Sequence, residues 1–214
     1  MKNKRLKSLL IKCSYLFLCT TLVSCANFNN TTYINKSLLQ ANEFVENNKF
    51  DEAINLYTKI LEKDSTNQKA LFNKSLILKN QNNYKQSLII LDKITKNYPN
   101  NLKAYQVKIG IYKEDKNTEK VISTYNSLFS ISPFLYSIRA EYLEFLVSGY
   151  QEGNTLLYSQ INENSIFLLE ENREIKTALK ALCTIEKNNA EYAALLYLKD
   201  KKTWKEIYSP SLSN

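Results

Sequence analysis

The side chains that most often carry catalysis are scarce in this 214-residue chain, which contains no histidine, four cysteines and three glycines. Without histidine there is no imidazole for general acid–base catalysis, for a histidine-containing triad or for a histidine metal site. The sequence also shows no glycine-rich phosphate-binding loop and no cluster of residues at metal-ligand spacing. The composition therefore disfavours an enzyme and predicts no cofactor and no metal.

One cysteine has a setting that predicts a specific modification. Basic residues at positions 2, 4, 5 and 7 precede an apolar stretch at 13–23, which is the organisation of a secretory signal. The stretch is shorter than the roughly 20 residues that span a bilayer. It ends in Leu-Val-Ser-Cys, residues 22–25, which resembles the lipobox of bacterial lipoproteins. The alternatives are an ordinary secretory signal and an uncleaved anchor.

The lipobox resemblance implies that a diacylglyceryl group is attached to the Cys25 thiol and that residues 1–24 are removed. Two or more acyl chains would then hold the protein stably on the lipid bilayer. Loss of residues 1–24 removes five cations and no acid, which lowers the formal net charge from +8 to +3. A charge this small gives little support for nucleic-acid binding, and none is predicted. Cys13 and Cys19 would also leave, so no intramolecular disulfide is predicted for Cys183.

The remaining candidates for chemistry have ordinary structural explanations. Acids such as Glu170–Glu171 and Glu141/Glu144 mostly face solvent on helices. Cys183 lies on an apolar stripe, where cysteine usually acts as a small hydrophobic residue. An aromatic set is expected to lie mainly in the core, although an open cleft lined by it would favour an envelope polysaccharide or small ligand. The set is Phe134, Tyr136, Tyr142, Phe145 and Tyr150.

The elements that must position any binding site recur every 34 residues. Apolar, aromatic and small residues align in columns, and Ser65, Pro99 and Pro133 follow at the end of each unit. Prolines at this place are expected just beyond helix ends. The columns are Phe44/Leu78/Tyr112, Phe50/Tyr84/Thr118, Ala53/Ser87/Val121, Tyr57/Leu91/Tyr125 and Ile60/Ile94/Leu128.

This pattern resembles the tetratricopeptide repeat, most closely in residues 41–67 and 75–101. The third unit, at about 102–135, keeps the spacing with less typical residue types. The resemblance implies an all-α fold, an α-solenoid of antiparallel helix pairs in which neighbouring units bury one another's apolar stripes. All three units depart from the pattern at one usually apolar position of the first helix, which is Gln40, Lys74 and Lys108.

The chain divides into four predicted regions. The first is the signal peptide at 1–24, and the second is the lipidated cysteine with a polar tether at 25–36. Three repeats follow at 37–135, and degenerate helical repeats with a capping helix occupy 136–214. In the last region we expect a helix break near Asn162–Asn164 and a polar cap near Lys199–Lys202 and Trp204.

In such an array the first helix of each unit is expected to line a concave groove. Asparagine can donate to and accept from a peptide backbone, and lysine ammonium pairs with carboxylate. These side chains predict a groove for a peptide partner, with an acidic segment or a carboxyl terminus as the candidate ligands. A solvated face without a ligand is the alternative. The candidate residues are Asn42, Lys69, Phe72, Asn73, Leu76, Lys79, Lys103, Gln106 and Lys113.

Some tetratricopeptide domains hold a terminal carboxylate with a set of Lys, Asn, Asn, Lys and Arg or Lys. By register, Asn42, Asn73 and Lys103 match the middle three members. Leu38 and Val107 stand where the flanking cations belong, so a complete carboxylate clamp is not expected.

The sequence thus predicts a membrane-anchored scaffold for protein–protein interaction in the bacterial cell envelope, on the periplasmic side or at the surface. The alternative is a structural subunit of an outer-membrane protein assembly or of a secretin or pilus assembly machine. The expected partners are a protein or peptide of the envelope and the bilayer.

Overall fold

The computed structural model of the protein describes residues 30–171 and 173–185. These residues are largely helical and contain no strand. The described residues up to Ile131 form one compact unit, and those from Ser132 onward form a second. The predicted fold class, an all-α solenoid of antiparallel helix pairs, is confirmed for this part of the chain.

Unit 1 is built from three helix pairs joined by short turns. The helices are α1 (residues 30–46), α2 (Phe50–Lys63), α3 (Gln68–Asn80), α4 (Tyr84–Asn97), α5 (Leu102–Glu114) and α6 (Thr118–Ile131). Each helix packs against the next one along the chain, and α3 also packs against α5.

Unit 2 contains a helix pair and one further helix that packs against both of its members. Its elements are α7 (Tyr136–Gln151), a 3₁₀ turn (Thr155–Leu157), α8 (Tyr158–Glu170) and α9 (Ile175–Ile185). The predicted cap near Lys199–Lys202 and Trp204 lies outside the described residues.

The core of unit 1 is shared between successive helix pairs. Tyr57 and Ile60 of α2 pack with Ile34 of α1 and with Ala70 and Ile77 of α3. A second cluster joins α4 to both neighbouring first helices, because Leu91 and Ile94 pack with Leu71, Ala104 and Ile111. No helix pair completes its core alone, which is the stacking that the repeat predicts.

Helix crossings use the small residues that the columns indicate. Ala53 and Ser87 are fully buried. The Ser87 hydroxyl donates to the carbonyl of Ser75 at 2.8 Å, so this buried polar group is satisfied.

The turn inside each helix pair repeats one left-handed geometry. Asn48, Asn82 and Lys116 have φ of 57°, 58° and 53°. The next amide in each case bonds back to the carbonyl five residues earlier, as Asn83 does to Leu78 at 2.8 Å. This is the Schellman arrangement, in which glycine or asparagine is the usual left-handed residue.

Replacing Lys116 with glycine is therefore expected to raise the free energy of unfolding by about 0.5–1 kcal/mol, because glycine has no Cβ to oppose positive φ. Urea unfolding followed by circular dichroism would measure the change. The matched control is Asp115→Gly, one residue earlier at φ −79°. That change should destabilise the protein, and equal effects at the two positions would contradict the argument.

Asparagine also begins several helices. Asn67 and Asn101 accept hydrogen bonds from the amides of Ala70 and Ala104, each at 3.1 Å. Asn83 and Asn117 make the same kind of bond to Gln86 and Lys120 at 3.4 and 3.0 Å. The asparagine content of the repeats therefore has a local structural use as N-caps.

The lysines in the usually apolar column find polar partners on the preceding helix pair. Lys74 donates to the Thr58 hydroxyl at 2.8 Å, and Lys108 pairs with Asp92 at 2.6 Å. Burial lowers the pKa of Lys74. The lysine stems occupy the space of an apolar side chain while the ammonium groups stay satisfied.

Two expectations about local structure are wrong. Residues 30–36 of the predicted tether are helical, and Ile34 is buried as the first member of an apolar stripe that continues at Leu38 and Ala41.

The predicted helix break near Asn162–Asn164 does not occur. Asn164 lies inside α8, where its side chain accepts from Arg139 at 2.6 Å and donates to the Gln160 carbonyl at 2.7 Å. The interruption falls earlier, between Gln151 and the 3₁₀ turn.

Candidate functional site

The predicted groove residues all lie on the first helices of the pairs in unit 1. Asn42 is on α1, and the others are on α3 and α5. We call the surface formed by α1, α3 and α5 the first-helix face. The α3 members are Lys69, Phe72, Asn73, Leu76 and Lys79, and the α5 members are Lys103, Gln106 and Lys113.

Four of these residues line one cleft of about 430 Å³ between the beginnings of α3 and α5. Lys69, Phe72 and Asn73 come from α3, and Lys103 comes from α5. The remaining lining residues are Gln68, Asn100, Asn101 and Leu102. We call this the α3–α5 cleft.

The α3–α5 cleft carries positive charge and amide groups. Lys69 and Lys103 are exposed, and no acidic residue is among the residues that line the cleft. Phe72 and Leu102 add apolar surface between the polar groups. A site of this kind attracts anionic side chains, and it offers asparagine and glutamine amides for hydrogen bonds to a peptide backbone.

A second recess lies along α1. It has a volume of about 790 Å³ and is lined by Lys36, Leu39, Gln40, Asn42, Glu43 and Glu46. Its charge is mixed. We call it the α1 recess.

A hydrogen-bond network joins the two first helices. The hydroxyl of Tyr57 donates to Oδ1 of Asn42 at 2.7 Å. Nδ2 of Asn73 donates to the same Asn42 oxygen at 3.1 Å and to the Tyr57 oxygen at 3.2 Å. Burial raises the pKa of Tyr57, against the opposing effect of the Asn73 hydrogen bond, so the phenol stays a protonated donor at neutral pH.

Other predicted groove residues are committed to intramolecular contacts. Lys79 forms an ion pair with Glu114 at 2.8 Å, and this hydrogen bond lowers the pKa of Glu114. Lys113 lies over the ring of Tyr125 at 5.7 Å from its centroid. Gln106 is exposed and Leu76 is half-buried, and neither lines the α3–α5 cleft.

The two flanking positions of a carboxylate clamp are part of the core. Leu38 is buried with α2, and Val107 packs against the cluster around Leu91. Neither side chain carries a charge, so these two positions supply no cation.

Several contributors to this face are not among the residues predicted for the groove. The ring of Tyr57 is buried in the core, but its hydroxyl reaches the amides of Asn42 on α1 and Asn73 on α3. Asn100 and Asn101 border the α3–α5 cleft. Their position follows from the repeat, because the turn between two successive helix pairs leads directly into the first helix of the next pair.

The aromatic set in unit 2 does not form a single ligand box. Tyr142 is fully buried, and its hydroxyl donates to Gln160 at 2.8 Å. Phe134, Tyr136 and Phe167 form a separate ring cluster with centroids 6.1–6.4 Å apart. Phe134 is 61% exposed, and the guanidinium of Arg139 lies 4.1 Å from the Phe167 centroid.

Acidic residues do not converge in the described part of unit 2. Glu171 accepts a hydrogen bond from Tyr136 at 3.0 Å. Glu144 is the one carboxylate lining the cleft between α7 and α9, which it shares with Lys176 and Lys180. Cys183 is half-buried. Across the described residues there is no group of three potential metal ligands, and no helix there has the length and apolarity needed to cross a bilayer.

Comparison with known proteins agrees with the repeat assignment. A family model described as Tetratricopeptide repeat matches residues 44–108. None of the curated proteins matches this chain.

Comparison with solved structures supports an all-α helical-repeat fold through the first of the two structures below. A tetratricopeptide repeat protein from Parabacteroides merdae ATCC 43184 is similar with a TM-score of 0.56 and 17% identity, covering 86% of this chain and 68% of that one. MamA from Desulfovibrio magneticus RS-1 is similar with a TM-score of 0.49 and 14% identity, covering 84% of this chain and 93% of that one. Similarity at such low sequence identity is evidence for the fold alone, and the function has to be argued from the site. The tetratricopeptide-repeat model thus matches residues 44–108, and the described residues share the all-α helical-repeat fold of the Parabacteroides merdae protein.

Proposed function

We propose that the protein is a membrane-anchored scaffold of the bacterial cell envelope that binds a protein partner through an extended acidic segment laid on the first-helix face. The tetratricopeptide fold supports a role in protein–protein interaction, since such arrays commonly present an extended surface to a partner. Lipidation of Cys25 would supply the anchor. Binding, rather than catalysis, fits a chain without histidine.

The observation that carries the proposal is the charge of the α3–α5 cleft. Two exposed lysines from successive first helices border the cleft, and its lining residues include no acid. Elsewhere on the same helices lysines are neutralised, as Lys79 is by Glu114. Neither Lys69 nor Lys103 forms an ion pair within the described residues. Exposed cations of this kind increase both the rate and the selectivity of association with acidic partners.

The alternative of a structural subunit in an assembly machine calls for a broad apolar surface. In unit 1 the exposed large apolar side chains among the described residues are spread over α1, α4 and α6. They are Tyr33, Leu39, Ile89 and Ile131. Within unit 1 this distribution favours the peptide-binding proposal. The other exposed large apolar side chains among the described residues are in unit 2, at Phe134, Leu156, Tyr158 and Ile166.

Reversing the charge of Lys69 and Lys103 together, as Lys69→Glu and Lys103→Glu, is expected to weaken binding of acidic peptides by at least about tenfold. Each lost charge-assisted contact is worth about 1 kcal/mol or more, and repulsion adds to the loss. The probe is an array of immobilised ten-residue peptides of graded net charge, incubated with the full-length chain. Binding should favour acidic peptides and fall as salt rises.

The matched control is Lys85→Glu with Lys96→Glu. Both residues are exposed on α4 and lie outside the α3–α5 cleft. The control changes net charge by the same amount, so it should leave acidic-peptide binding within about twofold, since charges distant from the site are largely screened. Equal loss in both double variants, or no preference for acidic peptides, would refute the proposed function.

A further inference from the structure

We propose that the beginning of α1, together with the end of α2 beside it, lies against the anionic headgroups of the bilayer, and that this contact orients unit 1 on the membrane. The inference rests on the proposed function, because it requires the lipidation of Cys25 and adds the protein surface that faces the lipid. This surface consists of Tyr33, Lys36 and Leu39 of α1 and Lys63 of α2. We call it the α1 start patch.

The chain between the proposed lipid and the fold is short. The sequence predicts a tether that runs to residue 36, but α1 already begins at residue 30. The five residues from Cys25 to the beginning of α1 span at most about 18 Å when fully extended. The headgroup layer on each side of a bilayer is about 5–7 Å thick. A chain lipidated at Cys25 therefore holds the beginning of α1 close to the bilayer surface.

The α1 start patch combines an aromatic ring, an apolar side chain and two cations. Tyr33 is 38% exposed and Leu39 is 71% exposed. The ammonium of Lys63 lies over the Tyr33 ring, 4.9 Å from its centroid, and Lys36 and Lys63 are both exposed. Tyrosine is favoured at the level of the headgroups, and lysine is attracted to anionic lipid. The composition of the patch thus suits the membrane–water interface.

The charge on the exposed side of α1 changes sign along the helix. Lys36 is the one charged residue between residues 30 and 42, whereas Glu43 and Glu46 are exposed near the end of the helix. At 1.5 Å per residue, Glu43 lies about 15 Å beyond Tyr33 along the helix axis, and Glu46 lies about 20 Å beyond it. An anionic surface attracts the beginning of such a helix and repels its end. We therefore expect the contact to be limited to the beginning of α1.

The acids at the end of α2 do not reverse the charge of the patch. Glu62 is exposed, and Lys59, also exposed, lies three residues earlier, a spacing at which opposite charges on a helix are neighbours. Asp64 accepts hydrogen bonds from Thr66 and Asn67.

The two lysines of the patch remain available for a ligand. Neither Lys36 nor Lys63 forms an ion pair within the described residues. Their ammonium groups can therefore meet lipid phosphate while their alkyl stems lie along the patch.

The contact needs little affinity of its own, because the lipid already holds the chain at the bilayer. A short flexible tether gives an effective concentration in the millimolar range. A contact with a Kd of about 1 mM is then occupied for about half of the time or more. The patch therefore sets the orientation of a lipidated chain, and the Cys25→Ser chain should not bind vesicles through the patch alone.

The test uses a single tryptophan as a reporter in the lipidated full-length chain. Trp204 is the one tryptophan of the sequence, so Trp204→Phe gives a silent background for Tyr33→Trp. The chain, with its lipid confirmed by intact mass, is reconstituted into vesicles of phosphatidylethanolamine and phosphatidylglycerol. The acyl chains are either plain or brominated, since bromine quenches tryptophan at short range. The readout is the ratio of the emission in brominated vesicles to that in plain vesicles.

Emission of the Tyr33→Trp reporter should fall by about twofold or more in brominated vesicles, as a contact occupied at least half of the time requires. The position control is Ile89→Trp in the same background. Ile89 is 62% exposed on α4, so its emission should be nearly unchanged.

The charge dependence is tested with Lys36→Glu and Lys63→Glu together in the Tyr33→Trp chain. Loss of one cation at an anionic surface lowers occupancy by about fivefold, so the double variant should lose most of the quenching. The matched control is Lys85→Glu with Lys96→Glu on α4, which changes the net charge equally and should keep the quenching. Circular dichroism melting would check that all variants fold.

Three results would overturn the inference. The first is equal quenching in the Lys36→Glu, Lys63→Glu variant or in vesicles of phosphatidylcholine alone, because the tether would then bring the reporter near lipid without a headgroup contact. The second is equal quenching of the reporters at positions 33 and 89. The third is an emission change that follows protein density and not bromination, which would assign the patch to a second copy of the chain.

These results are distinguishable from failure of the proposed function. Palmitate label on Cys25 and binding of acidic peptides through Lys69 and Lys103 would leave the proposed function standing when the reporter at position 33 is not quenched. A mature chain without lipid on Cys25 would overturn both this inference and the proposed membrane anchor.

Discussion

Replacing Cys25 with serine is expected to abolish lipidation completely. A serine hydroxyl cannot form the thioether that joins the diacylglyceryl group, so the chain would lack the acyl chains that give stable membrane binding. In cells supplied with a clickable palmitate analogue, the wild-type protein should carry the label and begin at Cys25. The serine variant should carry no label, as in-gel fluorescence and intact-protein mass would report.

The other cysteines provide matched controls. Cys13→Ser and Cys19→Ser change thiols within the proposed signal, and Cys183→Ser changes the thiol in α9. All three variants should keep the label and the processed N-terminus. Label on the serine variant at position 25, or a mature wild-type chain that retains residues 1–24, would rule out the proposed anchor.

Truncating Leu91 to alanine is expected to lower the free energy of unfolding by about 3–4 kcal/mol, in the range of buried leucine truncations. Leu91 is fully buried and lies in the cluster that joins α4 to α3 and α5. Truncation therefore removes contacts of α4 both with α3, its partner in the helix pair, and with α5 of the next pair. Because folded domains have about 5–15 kcal/mol of stability in total, urea unfolding should show a large shift of the midpoint.

The same helix carries the control for this change. Ile89 is two residues earlier and 62% exposed, whereas Leu91 is 0% exposed. Ile89→Ala should cost less than about 0.5 kcal/mol, as is usual for surface substitutions. Comparable destabilisation by the two substitutions would show that α4 does not pack in the orientation described.

The repeat could be predicted from the sequence because stacking constrains the same positions in every unit. Ala53 and Ser87 must be small where helices cross, and Tyr57, Leu91 and Tyr125 must be large where the core is filled. These demands leave a signal at a fixed interval of 34 residues. Asp51 in the first turn of α2 likewise lies where the helix dipole favours an acid.

The signal weakens beyond Leu135 because the spacing changes. The left-handed turn residue after a first helix recurs from Asn82 to Lys116 at the repeat interval, and its counterpart in unit 2 is Gly153, at φ 106°. The amide of Asn154 donates to the Gly149 carbonyl at 3.1 Å, which is the same hydrogen bond that closes the turn inside each helix pair of unit 1. The sequence separation between Lys116 and Gly153 is longer than one 34-residue repeat. An alignment at that fixed period therefore does not detect that the two turns correspond.

The candidate site was only partly predictable, for a different reason. Register identifies which residues lie on a first helix, so Lys69, Asn73 and Lys103 could be placed on one face. It does not show which lysines find internal partners, and Lys79 with Glu114 is such a case. It also does not show that the hydroxyl of a core residue, Tyr57, reaches the surface amides. Those properties depend on side-chain contacts between elements that are distant in sequence.

The most direct test of the central claim is a nuclear magnetic resonance titration of the isotope-labelled full-length chain with the acidic array peptide. The account predicts saturable shifts of the side-chain amide signals of Asn42 and Asn73 and of backbone amides at the beginnings of α3 and α5. The Lys69→Glu, Lys103→Glu double variant should not show them. Shifts confined to α4, α6 or unit 2, with the two asparagine amides unmoved at saturation, would contradict binding on the first-helix face.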